Sequence, residues 1–231
     1  MSDTPADPVA DSYRKLYKNF GYSPKSLGWS NGKQFLRFHQ LTAGWNLSGS
    51  RILDVGCGFA DFVDYCGALS IPDISYTGID LVEEFLSEGR ARFSGPQVTL
   101  LLGNFLDTTF HEDFDYAIAS GTFNLRQDGV DGYDYIFSNM EKMFALSRRA
   151  ISIDFLSDRV DWAHPHNFNS SPEQILSMAY RLSRRVSLSN TYFPFEFSVT
   201  IERDDSYSPG STTFLSKEFE LSWLKKRQAQ E

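Results

Sequence analysis

The chain is predicted to be an α/β protein built on a mostly parallel sheet with helices on both faces, and three observations carry that prediction. Short apolar runs alternate with stretches of helical period from residue 51 to residue 182, the pattern of strands joined by crossover helices. The first run, Ile52-Leu53-Asp54-Val55, leads directly into Gly56-Cys57-Gly58, a tight strand-to-helix turn. The second strand, Ser75-Tyr76-Thr77-Gly78-Ile79-Asp80, ends in an acid. Glycines lack a Cβ, so the turn can take positive φ and let a bound molecule lie against bare backbone, beside the N–H groups that open the next helix.

Taken in order, Met1 to Pro8 is polar and loose, and Val9 to Phe20 carries the long side chains of a short helix. Gly21 to Ser30 is too aromatic for an idle linker and too rich in breakers for a helix, so it reads as a structured loop holding Trp29. Asn31 to Gly44 places Phe35, Phe38 and Leu41 on one helical stripe and leaves Arg37 off it. After the strand at Ile52 to Val55 come a helix over Asp61 to Leu69, a connection broken by Pro72, and the second strand. Val82 to Phe93 has helical period, Val98 to Leu102 is a third, buried strand, and Phe114 to Ser120 a fourth. Tyr133 to Arg148 is the best-formed helix, with Ile136, Met140, Met143 and Phe144 on one face as core packing. Ala150 to Phe155 makes the fifth strand, Pro172 opens a helix to Leu182, and Val186 to Tyr192 forms a hairpin with Phe195 to Ile201. Beyond Glu202 a loop-like stretch precedes Leu215, Phe219 and Trp223, which fall on one helical face ahead of Lys225-Lys226-Arg227. That stripe can dock on the body, lid the site or pair two copies as a homodimer. The organisation is one domain: a helical cap over 1–50, a core over 51–201 and an extension over 202–231.

With 231 residues, 41% of them hydrophobic and 15% aromatic, the chain has material for one sizeable core. A formal net charge of -8 argues against a nucleic-acid surface, which needs concentrated Lys and Arg. No apolar run is long enough to span a bilayer, and Met1 to Asp11 lacks the basic start and apolar middle of a secretory signal. A cytoplasmic protein with no membrane partner is expected. Cys57 and Cys66 make no disulfide framework, and Cys57 reads as a small turn residue rather than a nucleophile.

Two kinds of ligand compete for the glycine turn. A dinucleotide fingerprint puts a third glycine at position 61, facing a pyrophosphate; Asp61 stands there, and a carboxylate at the mouth of a helix repels phosphates. A cationic ligand without phosphate meets no such objection. In Leu53-Asp54-Val55-Gly56-Cys57-Gly58-Phe59 the chain resembles the first motif of the class I S-adenosylmethionine (SAM) dependent methyltransferases, with Ala60 where that family usually has a third glycine. The resemblance extends over about Arg51 to Ile201 and implies a Rossmann-like three-layer sandwich, its seven-stranded, mostly parallel sheet ending in an antiparallel C-terminal hairpin. It further implies SAM as cofactor, S-adenosylhomocysteine (SAH) as its product, and no metal. The runs Ser23-Pro24-Lys25-Ser26-Leu27-Gly28-Trp29 and Ser120-Gly121-Thr122-Phe123-Asn124 look like a group of small, mostly uncharacterised bacterial enzymes of this family.

The family's cofactor contacts carry over residue by residue. Asp54, Gly56 and Gly58 belong to the glycine motif. Asp80, 24 residues past Gly56, is placed to accept hydrogen bonds from both ribose hydroxyls, its plain alternative being a cap on the next helix. Leu81 then offers apolar surface to the adenine. Asn104 stands where the family commonly has an Asp; its amide oxygen can accept from the adenine amino group, with Phe105 contributing its ring and N–H. The bland reading there is an Asn-containing turn. In related enzymes a helix before the first strand lies over the cofactor, which makes Arg37 the candidate for a bidentate grip on the methionine carboxylate, with Trp29 closing the pocket. A solvated arginine and a buried tryptophan are the plain alternatives. Ser120 ends strand four, which flanks the cofactor where the strand order of such sheets reverses.

The residues after Ser120 then face the methyl group, and Phe123, Asn124 and His166 are expected against the substrate. Ser120-Gly121-Thr122-Phe123 has no proline, unlike nucleobase amine methyltransferases, and no carboxylate cluster follows the strand as in metal-assisted catechol-type enzymes. The polar and aromatic loop from Leu156 to Ser171 is where substrate is sought. Transfer from a sulfonium needs alignment and exclusion of water rather than a covalent intermediate. A hydroxyl or protonated amine needs a base, for which Tyr13, His164 and His166 are the candidates. As a metal pair, His164 and His166 lack further ligands. The expected function is methylation of O or N of a small polar metabolite. Rival readings are a SAM-binding regulatory or scaffold protein of the same fold without turnover, and a nicotinamide oxidoreductase.

Overall fold

The middle layer is a seven-stranded sheet, seen in a computed structural model that describes residues 8–29, 33–127, 129–204, 221–222 and 225. Strands β1 (Arg51–Val55), β2 (Ser75–Asp80), β3 (Val98–Leu102), β4 (Phe114–Ala119) and β5 (Ser147–Leu156) pair in parallel, and β7 (Glu196–Glu202) runs antiparallel between β5 and β6 (Val186–Ser189). The order β3-β2-β1-β4-β5-β7-β6 gives the expected mostly parallel sheet with an antiparallel C-terminal pair. Order reverses between β1 and β4, so a crevice opens beyond their carboxyl ends.

Side chains on β1 alternate between two cores. Leu53 and Val55 face the layer formed by α5 (Gly132–Leu146) and α6 (Pro172–Tyr180), while Ile52 faces α2 (Gln34–Leu41) and α3 (Asp61–Ala68). Burial on both faces is why these strands read as continuous apolar runs. Helix α1 (Pro8–Phe20) packs with α4 (Glu83–Arg92) through Ala10, Tyr13, Tyr17 and Phe85 around Phe59. Asp131 caps α5 by accepting from Tyr133 N and Asp134 N, and Ser171 caps α6 ahead of Pro172.

Boundaries differ from expectation where pairing overrides propensity. The helix expected to reach Arg148 stops at Leu146, because Ser147 is recruited into β5 opposite Phe114. The strand expected to reach Tyr192 stops at Ser189, where pairing with β7 ends at Ser198. No described helix is long and apolar enough to cross a membrane. The stripe of Leu215, Phe219 and Trp223 lies outside the described residues.

Candidate active site

Beyond Val55 the chain turns through Gly56 at φ +71 and Gly58 at φ +54. A Cβ on Gly56 would stand 2.5 Å from Thr122 Oγ1, the atom that donates to Val55 O at 2.8 Å and so ties the β4 loop to the end of β1. Ala60 adopts φ +61 at the start of α3, a left-handed conformation that costs a residue with a Cβ about 1–2 kcal/mol and that glycine takes freely. The missing third glycine therefore leaves the turn intact at an energetic cost. Asp80, at the end of β2, accepts from Gly58 N at 2.9 Å through one oxygen and from Val82 N at 2.9 Å through the other. The cap and the ligand roles are thus compatible: each oxygen is fixed by one backbone N–H and keeps a lone pair free. Burial raises the Asp80 pKa, and those backbone hydrogen bonds pull it back.

The turn opens on a cleft of about 940 Å³ with its solvent-open mouth included. Asp61 and Asp80 line it, together with Leu81, Asn104, Phe105 and Ser120, and no Lys, Arg or His is among its described lining residues. Such a wall suits a cation and disfavours a pyrophosphate. Asp54 sits behind the turn, 2% exposed, accepting from Tyr76 Oη at 2.8 Å. It does not line the cleft, and burial, partly offset by that hydrogen bond, pushes its carboxyl up to about 7.

Helix α1 brings Val9, Ala10 and Tyr13 over the cleft. Tyr13 stands beside Asp80; burial first, then that negative charge, push its phenol up to about 12, out of range for a base near neutral pH. Trp29 follows a short 3-10 turn over Pro24–Leu27, capped by Ser23 and closed by Gly28 at φ +80. Its ring lies on Gly121, where a Cβ would come 2.6 Å from Cζ2, so glycine is required for the indole to reach the cleft. Arg37 departs from expectation. Its guanidinium stacks 3.7 Å from the Trp29 ring, but Nε and Nη2 donate to the two carboxylate oxygens of Glu196 at 2.9 and 2.5 Å. At 3% exposure and away from the cleft, its bidentate grip is on Glu196 rather than on a ligand, and only Nη1 has no partner.

Asn104 lines the cleft while its Oδ1 accepts from Leu106 N at 2.8 Å, so it is both a turn residue and a wall of the site. Ser120 Oγ and Gly121 N donate to Asp154 at 2.7 and 2.6 Å. Burial and the charge of Glu196 push the Asp154 carboxyl up to about 6. Phe123 is buried on Phe155 and Tyr135 and faces a second cavity lined also by Phe168. Asn124 is a structural tie, not a cleft residue: Oδ1 accepts from Leu156 N at 3.0 Å and its carbonyl accepts from Phe168 N at 2.9 Å. His164 and His166 are exposed, ring to ring at 5.2 Å, and line neither cavity. The structure does not bring them to the site. Among the described residues no group of three His, Cys, Asp or Glu is placed to hold a metal ion.

Sequence reasoning missed Gln34, Thr122, Gln127, Tyr135 and Asn139, all of which line the cleft. Asn139 carries a signal: an amide amid the buried face of an apolar helix, where it donates to Tyr135 O at 2.8 Å.

Residues 52–140 match the family described as "Methyltransferase domain". The chain is 27% identical over 158 residues to Rv1506c of Mycobacterium tuberculosis (strain H37Rv), whose name assigns it to the methyltransferases; the match covers 66% of this chain and 92% of that one. Among solved structures it is similar to the N-methyltransferase NodS from Bradyrhizobium japonicum WM9 in complex with SAH, at TM-score 0.62 and 12% identity over 85% of this chain and 98% of that one. It is also similar to magnesium protoporphyrin IX methyltransferase from Synechocystis PCC 6803 with bound SAH, at TM-score 0.57 and 14% identity over 88% and 90%. At such identities the structural likeness is one of fold. The chain is thus similar in sequence to methyltransferases, over residues 52–140 and along most of the mycobacterial relative, and similar in fold to SAM-dependent methyltransferases.

Proposed function

We propose that the cleft binds SAM and that the protein methylates an oxygen or nitrogen atom of a small polar metabolite. The observation that carries the cofactor reading is Asp80, whose two carboxylate oxygens are aligned by Gly58 N and Val82 N at the mouth of a glycine turn in a cleft without cationic side chains among its described lining residues. Asp80 would hold the ribose hydroxyls, Leu81, Asn104 and Phe105 the adenine, and the Gly56–Gly58 backbone the methionine portion. When bound, SAM supplies a methyl group already activated on a sulfonium. The protein's part is alignment: Thr122 and Asp154 fix the loop at Ser120 and Gly121, and Trp29 covers that loop and keeps water out.

Among the described lining residues there is no histidine, Tyr13 is pushed up to about 12, Asp61 is held by Arg92 and Tyr22, and Asp80 is assigned to the ribose. This favours an acceptor whose reacting atom already has a free lone pair, such as a carboxylate or phosphonate oxygen. Calorimetric titration with SAM and SAH, followed by incubation of methyl-labelled SAM with a metabolite extract, tests the proposal. A labelled small molecule supports it. Binding with no labelled product from any extract favours a binding protein without turnover, and no binding at all removes the cofactor reading.

A further inference from the structure

The turn that follows β3 carries Asn104 and Phe105 into the cleft, and its rear is gripped by a side chain outside every motif considered above. Lys142, on α5, donates to three main-chain carbonyls of that turn: Phe105 O at 2.6 Å, Leu106 O at 2.9 Å and Thr108 O at 2.6 Å. An ammonium has three N–H bonds, so one short loop takes its whole donor capacity. Hydrogen bonds from a charged donor are roughly twice as strong as neutral ones, and three of them on neighbouring peptides fix the direction of each carbonyl. The charge also lies 4.9 Å from the centre of the Phe105 ring and 5.7 Å from that of Phe110.

The turn closes on itself from the other side. Leu106 N donates to Asn104 Oδ1 at 2.8 Å, and Thr108 donates to Asn104 O through N at 3.1 Å and Oγ1 at 2.8 Å. Those bonds set the local curl but leave open how the turn sits against the rest of the molecule. Lys142 supplies that reference, because Tyr135, Asn139 and Lys142 occupy positions i, i+4 and i+7 of α5 and so share one helical face. The first two line the cleft, and the third grips the rear of its adenine-side wall.

We infer that Lys142 is a positioning residue for the adenine end of the cofactor, setting the backbone of residues 105–108 so that Asn104 and Phe105 face the ligand. The inference rests on the reading of the cleft as a SAM site. Calorimetric titration of the wild type, Lys142→Met and Lys142→Arg with SAH and with adenosine tests it, alongside thermal melts. Lys142→Met is expected to weaken SAH and adenosine by the same factor, about tenfold, since the disturbed contact is shared by both. Lys142→Arg keeps the charge, but its planar fork cannot meet three converging carbonyls, so it loses a smaller factor for both ligands and reports even where Lys142→Met does not fold. Wild-type affinities in the folded variants, with only a lowered melting temperature, would overturn the inference and leave Lys142 a purely structural tie. Loss of SAH affinity without loss of adenosine affinity also contradicts it. A wild type that binds neither ligand removes the cofactor reading itself, a result distinct from either.

Discussion

Asp54 is an ionisable group buried behind the glycine turn, with Tyr76 as its hydrogen-bond donor and no contact with the cleft. Its carboxyl titrates at about 7 in the folded chain against an ordinary value of 3.8, with burial as the main cause. Because the folded value lies above the unfolded one, the native state holds the proton more tightly. Stability from this group is complete below pH 3.8 and is lost as pH rises through about 7. At about 1.36 kcal/mol per pH unit the total loss is about 4 kcal/mol, of which roughly 3 kcal/mol falls between pH 5 and pH 8. Asp54→Asn keeps the shape, and the amide oxygen still accepts from Tyr76 Oη, so at pH 5 it should stay within about 1 kcal/mol of the wild type. At pH 8 it should be more stable than the wild type by up to about 3 kcal/mol relative to that pH 5 difference. Denaturant unfolding of both proteins at the two pH values reads the difference directly, since the other titrating groups are common to both. A stability difference between Asp54→Asn and the wild type that is the same at pH 5 and pH 8 would refute the reading of Asp54 as a buried acid that ionises in this range.

Two further changes probe the scaffold around the site. Arg37→Met leaves Glu196 buried without its cation, with Asp154 close by, and should cost about 3–5 kcal/mol in denaturant unfolding, whereas Arg37→Met with Glu196→Leu should recover most of that; a single variant as stable as the wild type would show that the pair is not coupled. Gly56→Ala should cost about 1–2 kcal/mol for its positive φ and about 1 kcal/mol more for displacing Thr122 from Val55 O. In a Thr122→Ala background only the φ part should remain, and a cycle of four unfolding curves that finds no such coupling contradicts the geometry.

What is legible in the sequence is what is local. Ile52 to Val55 and Phe114 to Ala119 announce buried strands because each is a largely apolar run, and Gly56, Gly58 and Asp80 stand at the ends of strands. Val98 to Leu102, expected to be buried, is instead the edge strand β3, with Leu102 54% exposed, because edge position has no signature in the run itself. Leu81, Asn104, Phe105 and Ser120 stand just past strand ends, where the family resemblance places cofactor contacts, whereas Trp29, ahead of β1, is reached through the resemblance alone. Arg37 is misread from sequence because its partner, Glu196, lies 159 residues away on the last strand, and a long-range ion pair has no local signature. Lys142 escapes notice for a related reason: its acceptors are carbonyls, which every residue has and no sequence displays. Asn124 and the histidines are placed by loop position alone, yet a loop that leaves β5 can run outward, and here it carries His164 and His166 into solvent.

The most direct test is a calorimetric titration of SAH into the wild type and Asp80→Asn at about pH 7, near neutrality where the ordinary carboxylate is ionised. The geometry predicts saturable binding to the wild type and a loss of about 10- to 150-fold in the variant, the worth of hydrogen bonds to one charged group. Equal affinity in the two proteins, or none in the wild type, would contradict the placement of an adenosine on this acid.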